Sequence, residues 1–167
     1  MITDILLIIL LTMIPLLELR ISIPAGILGL AVTIKFTSIT VSLSPVPWPI
    51  VFIVAVIANW ILGLLLYYFM DLILSILRKI KVMDRIIEKI LYRSQRRIHG
   101  YVQKYGIIGL ALFIGIPLPG SGVYTGALGA YMLGMERKAF AKASLIGVII
   151  AGTAVTIITL TAIAIVP

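Results

Sequence analysis

Charge-free runs alternate with short polar breaks along this chain, and the breaks define its elements. Ile5–Leu17 is a charge-free run of thirteen residues. It meets Glu18-Leu-Arg20-Ile-Ser22-Ile-Pro24, and a second apolar arm, Ile21 to Ile34, ends at Lys35. At ~1.5 Å per residue the first run covers roughly 20 Å, short of the roughly 30 Å hydrocarbon core. Two arms too short to cross, with a Pro-containing break between them, predict a re-entrant hairpin over 4–35. One kinked helix from Ile5 to Ile34 is the rival reading, and it would set Glu18 and Arg20 near the bilayer centre.

Residues 36–48 are rich in Thr, Ser and Pro, carry no charge, and read as an outer loop with Trp48 as an interfacial anchor. Pro49–Met70 is charge-free and long enough to span, and it predicts a transmembrane helix over 49–77 that completes a first repeat, 1–77. Over 78–104, Ile80, Met83, Ile87, Ile90, Leu91, Ser94, Ile98 and Val102 recur at helical spacing, while Arg85, Lys89, Arg93, Arg96 and Arg97 fall largely elsewhere. That pattern predicts a basic amphipathic helix in the interface. A dimerising coiled coil fits less well, because Asp84 and Glu88 are its only acidic residues. Residues 105–167 form the second repeat, a hairpin over 105–136 and a transmembrane helix over 139–166 whose core is the charge-free run Ala143–Val166.

The second hairpin carries the sharpest break. Pro117, Pro119, Gly120 and Gly122 stand together inside a charge-free run from Tyr105 to Met135. Proline removes a backbone donor and glycine weakens helical order. Backbone released from helical pairing at membrane depth is tolerated where protein buries it or where it lines a polar cavity. Pro24, Pro117 and Pro119 are therefore read as the residues that break the hairpins.

Composition fixes the class. Of the 167 residues, 62% are hydrophobic and 12% charged, with a mean hydropathy of +1.22. A soluble domain carries about 25% charged residues. With no cysteine and one histidine, His99, the chain lacks thiol chemistry and a usual zinc set. The expectation is an all-α integral membrane protein of the cell membrane with no metal or cofactor. The net charge of +8 is concentrated: twelve of the fourteen Lys and Arg lie in Arg78–Lys104 and Arg137–Lys142. The positive-inside rule makes both segments cytoplasmic and both termini external. Basic strips beside a membrane meet anionic headgroups, so lipid rather than nucleic acid is the expected partner. The weak early charge pattern does not read as a signal peptide.

Hairpin, span, basic helix, hairpin, span is the order of an inverted-topology repeat, a layout whose binding site lies near the midplane between broken helices. Ionisable residues at that depth cost a few kcal/mol each and face protein or a water-filled cavity. Glu18 and Arg20 either pair to hold the first tip shut or form a site. In the second case the planar guanidinium of Arg20, with Ser22 beside it, binds a phosphate-like headgroup. Glu18 then orients the arginine or carries a coupling proton. The second tip offers helix-opening amides at Gly120, Ser121 and Gly122 with the hydroxyls of Tyr124 and Thr125. Gly122-xxx-Gly126 and Ala25-xxx-Gly29 also suit close helix packing. Asn59, inside the first span, is a second coupling or orienting candidate.

Glu18-Leu-Arg20 with Pro24, then Pro117-Leu-Pro-Gly-Ser-Gly122 before an aromatic and Thr-Gly126, resembles the small multidrug export protein family and, more distantly, the DedA superfamily. The resemblance covers nearly the whole chain. It implies opposed re-entrant hairpins and, through the DedA relatives, movement of polyprenyl-phosphate or phospholipid with proton coupling. DedA members also carry an arginine-rich motif in the second hairpin; this tip has none.

The first expectation is a transporter of an amphipathic anion, above all a lipid-linked phosphate or phospholipid. A proton-coupled exporter of small hydrophobic cations and a non-transporting membrane scaffold are the alternatives. No nucleophile–base pair or carboxylate dyad argues for an enzyme. Two spans and two hairpins are few to enclose a polar cavity, so a homodimer is expected.

Overall fold

The structure is a computed structural model that describes residues 1–15, 17–34, 39–78, 106–117 and 121–165. The predicted basic helix beyond Arg78, residues 36–38 of the outer loop, Pro119 and Gly120 lie outside the described residues. The fold is mostly helical, in the order α1 (Ile2–Met13), α2 (Glu18–Leu28), β1 (Ala31–Ile34), β2 (Ile39–Ser42), α3 (Trp48–Tyr68), α4 (Met70–Arg78), α5 (Gly106–Gly115), α6 (Val123–Met132) and α7 (Arg137–Ile165).

Length sorts the helices. At ~1.5 Å per residue, α3 with 21 residues reaches about 32 Å and α7 with 29 about 44 Å, enough to cross a hydrocarbon core. By the same rule α1 and α2, with 12 and 11 residues, reach about 18 and 16 Å. The charge-free run that continues past Tyr68 divides at Phe69. The Phe69 and Ile73 amides still bond to Leu65 and Phe69 carbonyls, both at 2.9 Å, so α4 follows α3 with its ladder nearly intact.

The chain forms two compact units, Met1–Asn59 with Ile149–Pro167, and Trp60–Val148. In the first, α1 and α2 pack together. α1 buries Asp4, Ile8, Leu11 and Thr12, spaced as one helical face, and α2 buries Leu19, Ser22, Ile23 and Gly26, spaced likewise. Gly26 sits so close to Ile8 and Val51 that a Cβ there would lie 2.9 Å from each.

Two sequence expectations are corrected here. Pro24 does not break the hairpin; it lies inside α2, and the chain turns earlier, between Met13 and Glu18, around Pro15. The second arm also does not run to Ile34. Gly29, at φ +66°, ends α2 in the left-handed region, and its Cα packs on Pro45. Beyond it the chain is extended, and β1 pairs antiparallel with β2 in the register Val32↔Val41 and Thr33↔Thr40. Six of the eight strand residues are β-branched, which favours a pleated strand over a helix. This small sheet departs from the all-α expectation and occupies part of the stretch read as arm and loop.

The sheet returns the chain onto the first hairpin. The Val46 amide bonds to the Gly26 carbonyl at 2.9 Å, and the Ser44 amide donates to Asp4 Oδ1 at 3.0 Å. The Met1 ammonium, 2.7 Å from Asp4 Oδ2, and then the Ser44 amide hold the Asp4 carboxyl below the usual carboxylate range.

In the second unit α5 and α6 pack as another short pair. Gly126 lies against Ile114 and Leu110, and Gly147 of α7 lies against the Ala111 carbonyl and Ile114. Phe140, fully buried, anchors this core, and Trp60 Nε1 donates to the Ala141 carbonyl at 3.1 Å.

Candidate functional site

Buried polar side chains collect in the first unit. Among the described residues they are Asp4, Thr12, Glu18, Ser22, Asn59, Thr156 and Thr159 there, against Ser144 in the second unit. Burying a polar group costs free energy unless it is hydrogen-bonded, so each of these requires an account.

Thr12 and Ser22 account for one another. The Thr12 hydroxyl lies 2.7 Å from the Ile8 carbonyl and 2.7 Å from Ser22 Oγ. A carbonyl can only accept, so when Thr12 donates to Ile8 the proton of the second bond comes from Ser22. Ser22, expected from sequence to face substrate, is fully buried and joins the two arms. Thr12 was not a sequence candidate, because a lone threonine in an apolar helix usually back-bonds to its own turn.

Glu18 opens α2 with its side chain buried, 5% exposed, and its backbone at φ +43°. A non-glycine residue there costs about 1–3 kcal/mol, and such strain gathers at functional sites. Arg20 is half-buried and shares a stripe of α2 with the half-buried Pro24 and Ile27, flanking the buried face that carries Ser22. Pro24 has no N–H to give to the Arg20 carbonyl, the acceptor it would otherwise bond one turn back.

Asn59 is 1% exposed, and its Oδ1 has no hydrogen-bond partner among the described residues; the same holds for Thr156 Oγ1. The contrast with Thr159, whose hydroxyl back-bonds to the Val155 carbonyl at 2.8 Å, marks Thr156 as different from an ordinary helix threonine. Both atoms belong to the first unit.

The second tip is tied by its own polar groups. α5 ends at Gly115, and Pro117 cannot continue the ladder whose last rung is the 3.0 Å bond from the Ile116 amide to the Leu112 carbonyl. Ser121 Oγ donates to the Ile116 carbonyl at 2.6 Å and ties the start of the second arm to the end of the first. Gly122 precedes α6 at φ +133°, a backbone region other residues rarely enter. Thr125 Oγ1 bonds to the Gly122 carbonyl at 3.3 Å, and Tyr124 is half-buried. Glu18, Arg20, Ser22 and Asn59 thus belong to the first unit, and Ser121, Gly122, Tyr124 and Thr125 to the second.

The second unit also holds a feature the sequence reading passed over, a cleft of about 530 Å³ where the end of α3, α4, the end of α6 and the start of α7 meet. Tyr67 stacks on Phe140 with ring centroids 4.4 Å apart, and meets Tyr131 edge to face at 6.1 Å. Its hydroxyl donates to the Met135 carbonyl, and the Tyr131 hydroxyl donates to Asp71 Oδ1. The Arg137 guanidinium lies 4.8 Å from the Tyr68 ring centroid, within cation–π range. Among the described residues no group of acidic and histidine side chains suits a metal ion.

A family model described as "Putative small multi-drug export protein" matches residues 18–154, from Glu18 through both tips and into α7. The chain belongs to this family. No curated protein and no solved structure matches it. For a small multi-drug export protein the two long apolar helices have a plain meaning: it is a membrane protein of an export class. The family match begins at Glu18, the residue whose backbone is strained and whose carboxyl is buried.

Proposed function

We propose that this chain is a small transporter that carries an amphipathic anion, above all a lipid-linked phosphate or phospholipid, past a polar site built on the first hairpin. The observation that carries the reading is that two buried atoms, Asn59 Oδ1 and Thr156 Oγ1, lack a hydrogen-bond partner among the described residues, in the same unit as Glu18 and Arg20. Apolar surroundings make an unmet acceptor costly, and a site that transiently hosts a polar solute or water is a reason to keep one. Arg20 supplies the charge: its planar fork suits a phosphate, and at membrane depth an ionisable side chain marks a substrate path. Glu18, the buried carboxyl two residues away, orients it or takes up the coupling proton.

The two short helix pairs support re-entrant hairpins. Every helix of the two pairs is far below spanning length, a proline follows the first helix of each, Pro15 and Pro117, and each pair precedes one long apolar helix. Setting aside β1, β2 and the short α4, the helices run short, short, long twice, which is the plan of an inverted repeat. The second tip brings helix-opening amides and hydroxyls to the other half of it.

Flux of a fluorescent lipid phosphate into proteoliposomes tests the reading. Arg20→Ala is expected to abolish flux while the protein inserts and melts normally, Arg20→Lys to retain part of it, and Glu18→Gln to remove its dependence on a pH gradient. Normal flux in Arg20→Ala ends the proposal. The buried carboxyl of Glu18 and the family description favour a second reading, export of hydrophobic cations. Inhibition by tetraphenylphosphonium, with no response to phosphate-bearing lipids, selects it.

A further inference from the structure

The aromatic cleft of the second unit shares no lining residue with the polar groups assigned to transport, and its chemistry is of another kind. Tyr67, Tyr68, Asp71, Tyr131, Glu136 and Arg137 line it: three phenol rings, two carboxylates and one guanidinium. At about 530 Å³ it has the size of a small-molecule site. We infer that it holds the zwitterionic headgroup of an aminophospholipid, with the ammonium between Asp71, Glu136 and the tyrosine rings and the phosphodiester on Arg137.

Three independent observations point that way. The first is depth. Tyr67 and Tyr68 end the apolar helix α3, and Arg137 begins the apolar helix α7, so the cleft lies where hydrocarbon gives way to headgroups. Tyrosines gather at that level, with an apolar ring below and a hydroxyl above.

The second is the charge arrangement. Asp71, Glu136 and Arg137 are all exposed to the cleft or its mouth, and Lys138 follows, also exposed. A carboxylate has several acceptor sites, so Asp71 can keep the Tyr131 hydroxyl and still accept from an ammonium. The contact of Arg137 with the Tyr68 ring uses none of its N–H donors in a hydrogen bond, so the planar fork can still serve a phosphate oxygen. A purely cationic ligand would meet Arg137 unfavourably, and a purely anionic one would meet two carboxylates. A zwitterion satisfies both.

The third is a place for the acyl chains. Phe69, Leu72 and Ile76, all more than half exposed, recur at helical spacing on and just before α4. An apolar stripe on a helix at the interface is how a protein lies against lipid tails.

Native mass spectrometry of the whole protein, exchanged into detergent with equal amounts of three lipids, tests the inference. Phosphatidylethanolamine should be retained above phosphatidylcholine, whose methylated nitrogen has no N–H to donate, and well above phosphatidylglycerol, which has no cation. Asp71→Asn and Arg137→Gln should each lower retention of phosphatidylethanolamine about tenfold, the effect of losing one charge-assisted hydrogen bond. Phosphatidylglycerol held as tightly as phosphatidylethanolamine by the unaltered protein overturns the proposal without any variant. So does displacement of the bound lipid by tetraphenylphosphonium at equal concentration. The measurement reads binding and not flux, so it stands or falls separately from the transport reading.

Discussion

Thr12 and Ser22 share a hydrogen bond of 2.7 Å across the first hairpin, both fully buried. Ten residues separate them in sequence, so the bond fixes how α1 and α2 lie together. In an apolar surround such a bond is worth about 1 kcal/mol, and up to ~1.7 by double-mutant cycles in membrane proteins. Thr12→Val and Ser22→Ala should each lower the melting temperature in detergent, and the double variant should lose less than the sum. Strict additivity would show that the two hydroxyls do not depend on each other.

Asn59 should show the opposite behaviour. Its Oδ1 is buried without a hydrogen bond among the described residues, so Asn59→Leu removes a desolvation cost of about 1–3 kcal/mol and puts an apolar group of similar size in its place. Stability should rise while lipid-phosphate flux falls at least tenfold. A variant that is less stable than the parent would mean that the amide is satisfied after all.

Helix packing in the second unit gives a ranked expectation. A Cβ on Gly147 would meet the Ala111 carbonyl oxygen at 2.7 Å, which is backbone and cannot move aside, whereas a Cβ on Gly126 would meet Ile114 Cγ1 at 2.6 Å. Overpacking costs about 1–3 kcal/mol. Gly147→Ala should therefore destabilise more than Gly126→Ala, and adding Ile114→Ala should relieve the Gly126 variant but not the Gly147 one. Equal rescue of both would contradict the contacts described.

Asp4 sets a pH dependence. Its carboxyl is held below the usual range by the Met1 ammonium and the Ser44 amide, so the folded form binds this proton less readily than the unfolded chain. The stabilisation is therefore complete above the ordinary carboxylate pKa and is lost as pH falls through the lowered one. Asp4→Asn should melt below the parent at pH 7 and converge with it in acid. Parallel melting profiles at every pH would remove Asp4 from this role.

Two apolar helices long enough to span and an arm ending at Pro117 follow from composition and spacing, because hydrocarbon leaves a chain few choices, although the first of these helices ends at Tyr68 and does not run to residue 77. The sheet went unread, although the sequence carries a signal for it outside hydropathy. Val32-Thr33-Ile34 and Ile39-Thr40-Val41 mirror one another in β-branched residues, and Thr33 indeed faces Thr40 with their Oγ1 atoms 3.1 Å apart. Counting apolar positions merged this stretch with α2. Pro24 misled because proline is unfavourable in a helix interior by about 3 kcal/mol, a cost that the packed face of α2 overrides. The cleft was hidden for a different reason. Tyr67 and Arg137 are far apart in sequence, and Glu136 and Arg137 already had an explanation as markers of membrane sidedness.

Pro24 leaves α2 one rung short just below Arg20, and helices bend most readily where a rung is missing. The far end of α2 is pinned, by Pro45 against Gly29 and by the Val46 amide on Gly26. The stretch from Glu18 to Ile23, on the unpinned side of the missing rung, is then a short lever. That lever carries the buried carboxylate and the guanidinium together, with the Thr12–Ser22 bond as its latch.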